Sequence, residues 1–263
     1  VEKAIQMLEK AGQLVLVGSK PPVAFFGYPD KPSLLYKKDT PIHILAEIDE
    51  DIFIALNDLA QELDAINLPP DYVANYQRPE LPSGSITKDK IAMVIGALLE
   101  ENTIVVDESV TTGRDFFPLT AGAPPHDWLN NRGGSIGYGM PVAIGASVAC
   151  PERKVLLLEG DGSGMYTVQS LWTMAREKLD IIILIFANRS YEILKGELIN
   201  VGVANPGPKA IDMLTLDKPN IDWVSIAKGM GIHAVKADEC ESFIRAIKIA
   251  FKNKGPFLIE LVI

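Results

Sequence analysis

Apolar and polar positions follow two rhythms along this chain. Short uninterrupted apolar runs, "TIVVDE" from Thr103, "KVLLLE" from Lys154, "DIIILIFAN" from Asp180 and "PFLIELVI" from Pro256, alternate with stretches whose apolar residues fall three or four apart, as in Lys88–Leu99, Tyr138–Ala149, Asp222–Met230 and Glu239–Lys252. Runs without polar alternation predict strands buried on both faces, and the intervening stretches predict amphipathic helices. Residues 86–263 therefore read as an α/β domain, a parallel sheet flanked by helices. Further helices are expected near Thr111–Phe117 and over Met165–Arg176, with a strand "HAVKA" from His233. Residues 1–66 read as a smaller, partial α/β unit: a helix Glu2–Ala11, a strand Leu14–Gly18, another around "PVAFFGYP" from Pro22, a further strand "IHILAEI" from Ile42 and a helix Asp51–Leu63. Between the two lies "NLPPDYVANYQRPELPSG", Asn67–Gly84, whose prolines exclude regular helix and central strand, so residues 67–85 are expected to be an interdomain linker. The Gly- and Pro-containing excursion Glu197–Pro219 reads as a mobile lid or as a structural loop.

Composition narrows the class. With 263 residues, 48% of them hydrophobic, the chain has apolar content for a large core. A net charge of -9 without any basic run argues against nucleic-acid or anionic-membrane partners. No apolar run approaches the ~20 residues of a spanning helix, and residues 1–20 do not resemble a signal peptide; a soluble cytoplasmic protein is expected. Cys150 and Cys240 fall far apart on predicted helices, which predicts buried free thiols, and His43, His126 and His233 share no metal-ligand spacing. The chain opens at Val1, directly in a predicted helix, which reads as a fragment of something longer.

In parallel sheets ligands sit at the carboxyl ends of strands. Three turns stand there: "DESVTTG" after Val106, "EGDGSG" after Leu158 and "ANRSY" after Phe186. Glycine turns after strands cradle phosphate through bare backbone N–H groups, yet Asp161 in the second turn would repel one. A divalent cation between them removes the conflict. Asn188 ends the next apolar strand, within the roughly 30 residues that one strand–helix–strand crossover takes. If those strands are neighbours, Asp161, Asn188 and a carbonyl such as that of Ser190 form a half-shell of hard oxygen ligands suited to Mg²⁺, which completes its octahedron with water and phosphate oxygens. Gly160, Gly162, Ser163 and Gly164 would offer N–H groups to the phosphates at the start of the Met165–Arg176 helix. Asp-Gly is also common in turns of every kind, so this motif alone does not decide. A nucleotide P-loop would need Gly-Lys-Ser/Thr, a dinucleotide fingerprint would need glycine at Met165, and "GSG" lacks the spacing of a nucleophile elbow.

The segment "GDGSGMYTVQSLWTMAREKLDIIILIFANRSY" resembles the signature of thiamine diphosphate enzymes, "VVDESVTTG" resembles their first phosphate-side turn, and "RGGSIGYGMPVAIGA" resembles the segment holding the pyrimidine ring in the acetolactate synthase and benzoylformate decarboxylase branch. The match covers most of residues 86–263 in order and spacing. It implies a 2-oxo acid decarboxylase or carboligase that uses thiamine diphosphate and Mg²⁺. By position, Asp161, Asn188 and the Ser190 carbonyl would bind the metal. Gly160, Gly162, Ser163 and Tyr191 would lie near the diphosphate, with Ser109 and Thr111 reaching it from the other side. The Gly134 carbonyl would accept from the pyrimidine amino group and Ile136 would prop the coenzyme in its V shape, which brings that amino group against the thiazolium C2–H. Read by itself, Ile136 is ordinary core.

Two departures accompany the resemblance. Arg189 stands where a second asparagine often occurs. Residues 1–66 resemble only the later part of the family's middle domain, and the pyrimidine-binding domain, source of an activating glutamate, has no counterpart here. The expected partners are therefore that missing domain or subunit and a small 2-oxo acid, with self-association into a dimer or tetramer, and this chain alone is expected to be inactive. A non-catalytic binding or regulatory subunit and a nucleotide-binding oxidoreductase are the alternatives. His126, between prolines and an acidic residue, is a surface-loop histidine or a proton shuttle.

Overall fold

The computed structural model describes residues 2–73 and 76–263. Ala74 and Asn75, inside the stretch read as a linker, lie outside the described residues. The described residues divide into two units, 2–73 with 199–203, and the remainder.

The smaller unit contains α1 (Glu2–Leu8), β1 (Leu14–Val17), β2 (Ile42–Ala46) and α2 (Ile52–Glu62). β1 and β2 form a two-stranded parallel sheet, and Asp51 caps α2 by accepting from the Ile54 N–H at 3.0 Å. The expected strand around "PVAFFGYP" does not form: Pro21, Pro22 and Pro29 interrupt strand pairing there, leaving an isolated bridge, Val23 to Leu34.

The larger unit runs α3 (Lys88–Leu98), β3 (Ile104–Glu108), a 3₁₀ turn (Thr112–Asp115), α4 (Phe116–Thr120), β4 (Asp127–Asn130), α5 (Gly139–Ala149), β5 (Val155–Gly160), α6 (Asp161–Gly164), α7 (Ser170–Arg176), β6 (Ile181–Ala187), α8 (Glu192–Asn200), α9 (Pro208–Asp212), α10 (Trp223–Gly229), β7 (His233–Ala237), α11 (Cys240–Lys252) and β8 (Phe257–Val262). Ile199 and Asn200, the last residues of α8, are grouped with the smaller unit. Six strands form one parallel sheet in the order β4-β3-β5-β6-β8-β7. β6 is buried along its whole length, which is why its sequence shows no polar alternation. Successive residues serve opposite cores. Leu156, Leu158, Ile182 and Leu184 pack with α3 and α11 residues such as Ile95 and Ile247, whereas Leu157, Ile183 and Ile185 pack with Met140, Leu171 and Trp223. The fold is thus α/β, with a helix-flanked six-stranded parallel sheet and a separate two-stranded one.

Three details differ from expectation. β4 was not anticipated, because four residues at a sheet edge, three exposed and Trp128 half-buried, leave almost no apolar signal. The helix expected from Met165 instead begins at Asp161 as α6, breaks, and resumes at Ser170. The excursion after Glu197 contains α9, and its return lies along the third turn, with Leu216 N–H donating to the Arg189 carbonyl at 2.7 Å and Tyr191 N–H to that of Leu214 at 3.0 Å. Residues 77–85 are docked on the larger unit: Arg78 donates to the carbonyls of Ala97 (2.9 Å) and Leu99 (2.8 Å) at the end of α3, and the Cys240 N–H donates to the Gly84 carbonyl at 2.8 Å. Cys240 is buried and Cys150 half-buried, both as free thiols.

Candidate functional site

β5 and β6 are direct neighbours, paired parallel from Val155–Ile181 to Gly160–Phe186, and β3 lies on the other side of β5. Their three carboxyl-terminal turns therefore meet at one edge of the sheet. Of the residues that the resemblance assigns to coenzyme and metal, all but Gly134 line a single cleft of about 150 Å³, and Gly134 lines the adjoining one, which shares Ser109 and Ile136; Gly164 lines neither.

Asp161 is the buried carboxylate of this cleft, at 3% exposure. Its Oδ1 accepts from the Gly162 N–H at 2.9 Å and its Oδ2 from the Arg189 N–H at 2.7 Å, so the second turn is tied to the third. Burial pushes its carboxyl up to about 6, against the pull of those two N–H groups. Asn188 has its Oδ1 turned back onto the Ser190 N–H at 2.9 Å, closing a small turn that leaves lone-pair capacity on the amide oxygen. Arg189 between them has φ +55°, a left-handed conformation that asparagine adopts more readily than arginine.

Gly162 has no room for a side chain, because a Cβ there would lie 2.6 Å from the Tyr191 ring and 3.3 Å from Leu216. Backbone is thus all that this turn presents beneath Tyr191. The two serine hydroxyls are bonded within the protein. Ser163 Oγ donates inward to Glu159 Oε1 at 2.5 Å, and Ser109 Oγ donates to Asp107, whose Oδ1 also accepts the Ser109 N–H at 2.9 Å. Both serines brace the turns they belong to. Ile136 is 46% exposed and faces the cleft, so its exposure departs from a reading as ordinary core. His126 lines neither of these clefts; its Nδ1 lies 2.7 Å from the Pro124 carbonyl and its ring meets Trp128 edge-on.

Residues missed by sequence reasoning include Tyr166, Glu192 and Ile193, which line the cleft, and two buried glutamates beneath it. Glu108 and Glu159 are cross-strand partners in the β3–β5 ladder, 1% and 0% exposed. Burial, reinforced by the Glu108 charge, holds the Glu159 carboxyl well above the usual range. A charged residue closing each of two apolar runs was the available signal.

The charge pattern restricts what this cleft takes. Among the described residues its lining carries Asp161 and Glu192 and no lysine, arginine or histidine. No cluster of three or more His, Cys, Asp or Glu suited to a metal exists among the described residues; the oxygen set here is instead one carboxylate, one amide and the peptide carbonyls around them. Such a set fits a hard cation that retains ligand positions for water and anion oxygens.

Residues 114–261 match the family model described as thiamine pyrophosphate enzyme, C-terminal TPP binding domain. A Mycobacterium tuberculosis protein named for the acetolactate synthase large subunit (IlvX) is 48% identical over all 263 residues, which span 50% of that protein. Benzoylformate decarboxylase of Pseudomonas aeruginosa is 32% identical over 180 residues, 68% of this chain and 32% of that one. Among solved structures, the thiamine diphosphate-dependent 4-hydroxybenzoylformate decarboxylase of Rhodococcus jostii RHA1 shares the fold with a TM-score of 0.74 at 23% identity, over 97% of this chain and 49% of the other. The chain spans half the length of the mycobacterial relative and about a third of the Pseudomonas one.

Proposed function

From the chain's membership of the thiamine pyrophosphate enzyme family, through that family's C-terminal TPP-binding domain, we propose that it is the coenzyme-binding part of a thiamine diphosphate- and Mg²⁺-dependent 2-oxo acid decarboxylase or carboligase. One observation carries the reading: a cleft at the carboxyl ends of β3, β5 and β6, lined by the glycine turn Gly160–Ser163, carries acidic side chains without a basic one. A diphosphate is tolerated there when a divalent cation stands between it and Asp161. In this reading Asp161, Asn188 and the Ser190 carbonyl hold Mg²⁺, while Gly160, Gly162, Ser163, Tyr191, Ser109 and Thr111 border the diphosphate. Gly134 and Ile136 form the ring-side wall. The coenzyme, when bound, supplies an electron sink for the carbanion left by decarboxylation. The chain's own share is to bind and orient it, and the apolar side chains of Ile136, Val110 and Ile193 keep water from that wall.

Since the chain spans half of the mycobacterial relative, catalysis in this reading needs a pyrimidine-side domain, from the same polypeptide or a partner, and the working form is a homo-oligomer. Residues 67–85 in this proposal connect the coenzyme domain at 86–263 to a partial middle domain at 1–66.

Calorimetric titration with thiamine diphosphate tests this, with and without Mg²⁺, beside Asp161→Ala. The expected outcome is binding that requires Mg²⁺ and that the variant loses by about a hundredfold or more, the cost of removing a charged ligand. Binding that ignores both Mg²⁺ and Asp161 would sink the metal-bridged reading.

A further inference from the structure

The turn that carries Gly134 and Ile136 enters α5 without a conventional cap. Tyr138, at the N-cap position, makes no side-chain capping bond, and the first N–H groups of any helix lack partners within it. The missing acceptor arrives from another strand. Glu108, at the end of β3, places Oε1 2.6 Å from the Gly137 N–H and Oε2 2.5 Å from the Gly139 N–H.

We propose that Glu108 is the positioning residue of the ring-side wall, its carboxylate clamping the Gly137 and Gly139 amides so that the preceding turn holds Ile136 at the cleft. The proposal rests on the coenzyme reading of Ile136 given above and adds to it a residue that touches neither coenzyme nor metal.

Three observations converge on the clamp. A buried carboxylate at a helix N-terminus faces the positive end of the helix and accepts charge-assisted hydrogen bonds, which are stronger than neutral ones. Both amides belong to glycines without room for a side chain: a Cβ on Gly139 would lie 2.4 Å from Glu159 Oε2 and 2.9 Å from Glu108 Oε2, and Gly137 has φ +87° with its Cβ position 2.6 Å from Tyr166. The surrounding bonds fasten the same short segment. Thr167 Oγ1 donates to the Gly137 carbonyl at 2.9 Å, and the Tyr138 hydroxyl donates to the carbonyls of Asp107 and, at 3.1 Å, Leu129. Both β3 and the turn after β5 thus hold the backbone next to Ile136, and Glu108 is the charged group on the Gly137 and Gly139 amides. An ordinary buried glutamate would need some partner; this one spends both oxygens on N–H groups flanking a single residue.

The test uses the full 263-residue chain, its E108Q and E108D variants, amide hydrogen exchange and two ligands. Glutamine keeps the volume but turns an NH₂ group against one of the two N–H donors, whereas aspartate keeps the charge on a stem one methylene shorter. In the wild type the Gly137 and Gly139 amides are expected to exchange slowly, and E108Q to accelerate them by about ten- to a hundredfold, the scale of a lost hydrogen bond to a charged group, while β5 and β6 keep their protection. With Mg²⁺ present, E108Q is expected to weaken thiamine diphosphate by about tenfold and to leave inorganic pyrophosphate, which reaches only the Asp161 side, unchanged. Aspartate, retaining one of the two bonds, should fall between. Unprotected Gly137 and Gly139 amides in the wild type, unaltered exchange in E108Q, or equal losses for the two ligands would each overturn the proposal. If E108Q does not fold, the wild-type exchange and the E108D affinity ratio decide. A wild type that binds neither ligand refutes the coenzyme reading, and amide exchange then decides the clamp separately.

Discussion

Arg189 shows how much one residue of this site is constrained by its neighbours. Its N–H must reach Asp161 and its carbonyl must accept from Leu216, and meeting both places it at φ +55°. Those bonds belong to the backbone, so a residue that occupies this region without steric cost keeps them and sheds the strain. Arg189→Gly is expected to raise unfolding free energy by about 0.5–1 kcal/mol in urea denaturation, the left-handed penalty less the added freedom of the unfolded chain. A loss of stability would mean that the arginine side chain, not the backbone, holds the turn. The sequence displayed this position as an arginine in place of an asparagine; the reason asparagine is favoured there, its tolerance of positive φ, needed the dihedral angle.

Elements were legible in proportion to how completely they are buried. β5, β6 and β8 stand out in the sequence because both their faces are covered, and α11 because its apolar residues recur along one face. β4 and the break in α6–α7 were hidden, since an edge strand and an irregular turn answer to neighbours remote in sequence. Pairing also decides chemistry within elements. Glu260 of β8 stands opposite Lys236 of β7 and is buried at 4% exposure. Burial pushes its carboxyl up, with Lys236 and the Val224 N–H pulling it down. A carboxyl raised on folding gives its full stabilisation below the unfolded value, about 4.3 for glutamate, and forfeits it as the pH climbs through the folded value. Glu260→Gln, which keeps an acceptor for Val224, is therefore expected to match the wild type in melting temperature near pH 4 and to gain on it steadily toward pH 8. A gap that shrinks with rising pH would show that Lys236 outweighs desolvation.

At the scale of the molecule, the chain is two units and half of the mycobacterial relative. No helix of the described residues is long and apolar enough to cross a membrane. Residues 66–73 are exposed, with Tyr72 at 93%, whereas 77–85 are bonded to the larger unit. Limited chymotrypsin digestion is expected to cut first at Leu68, Tyr72 or Tyr76 and to spare Leu81, with the sites read by intact mass. Early cleavage at Leu81 would mean that the Arg78 and Gly84 contacts do not hold this segment.

The sequence by itself determined the parallel α/β class, the turns that carry the chemistry and the family resemblance, because these depend on local periodicity and on residue types at short spacing. It also named most of the residues that gather at the cleft, though not Tyr166, Glu192 or Ile193. Only the tertiary structure decided that Ser163 and Ser109 spend their hydroxyls on Glu159 and Asp107, that the cleft lacks a basic side chain among the described residues, and that Glu108 reaches across to the amides of Gly137 and Gly139. These are contacts between strand ends far apart in the chain. Their partners are set by strand order and register, which no short stretch of residues encodes.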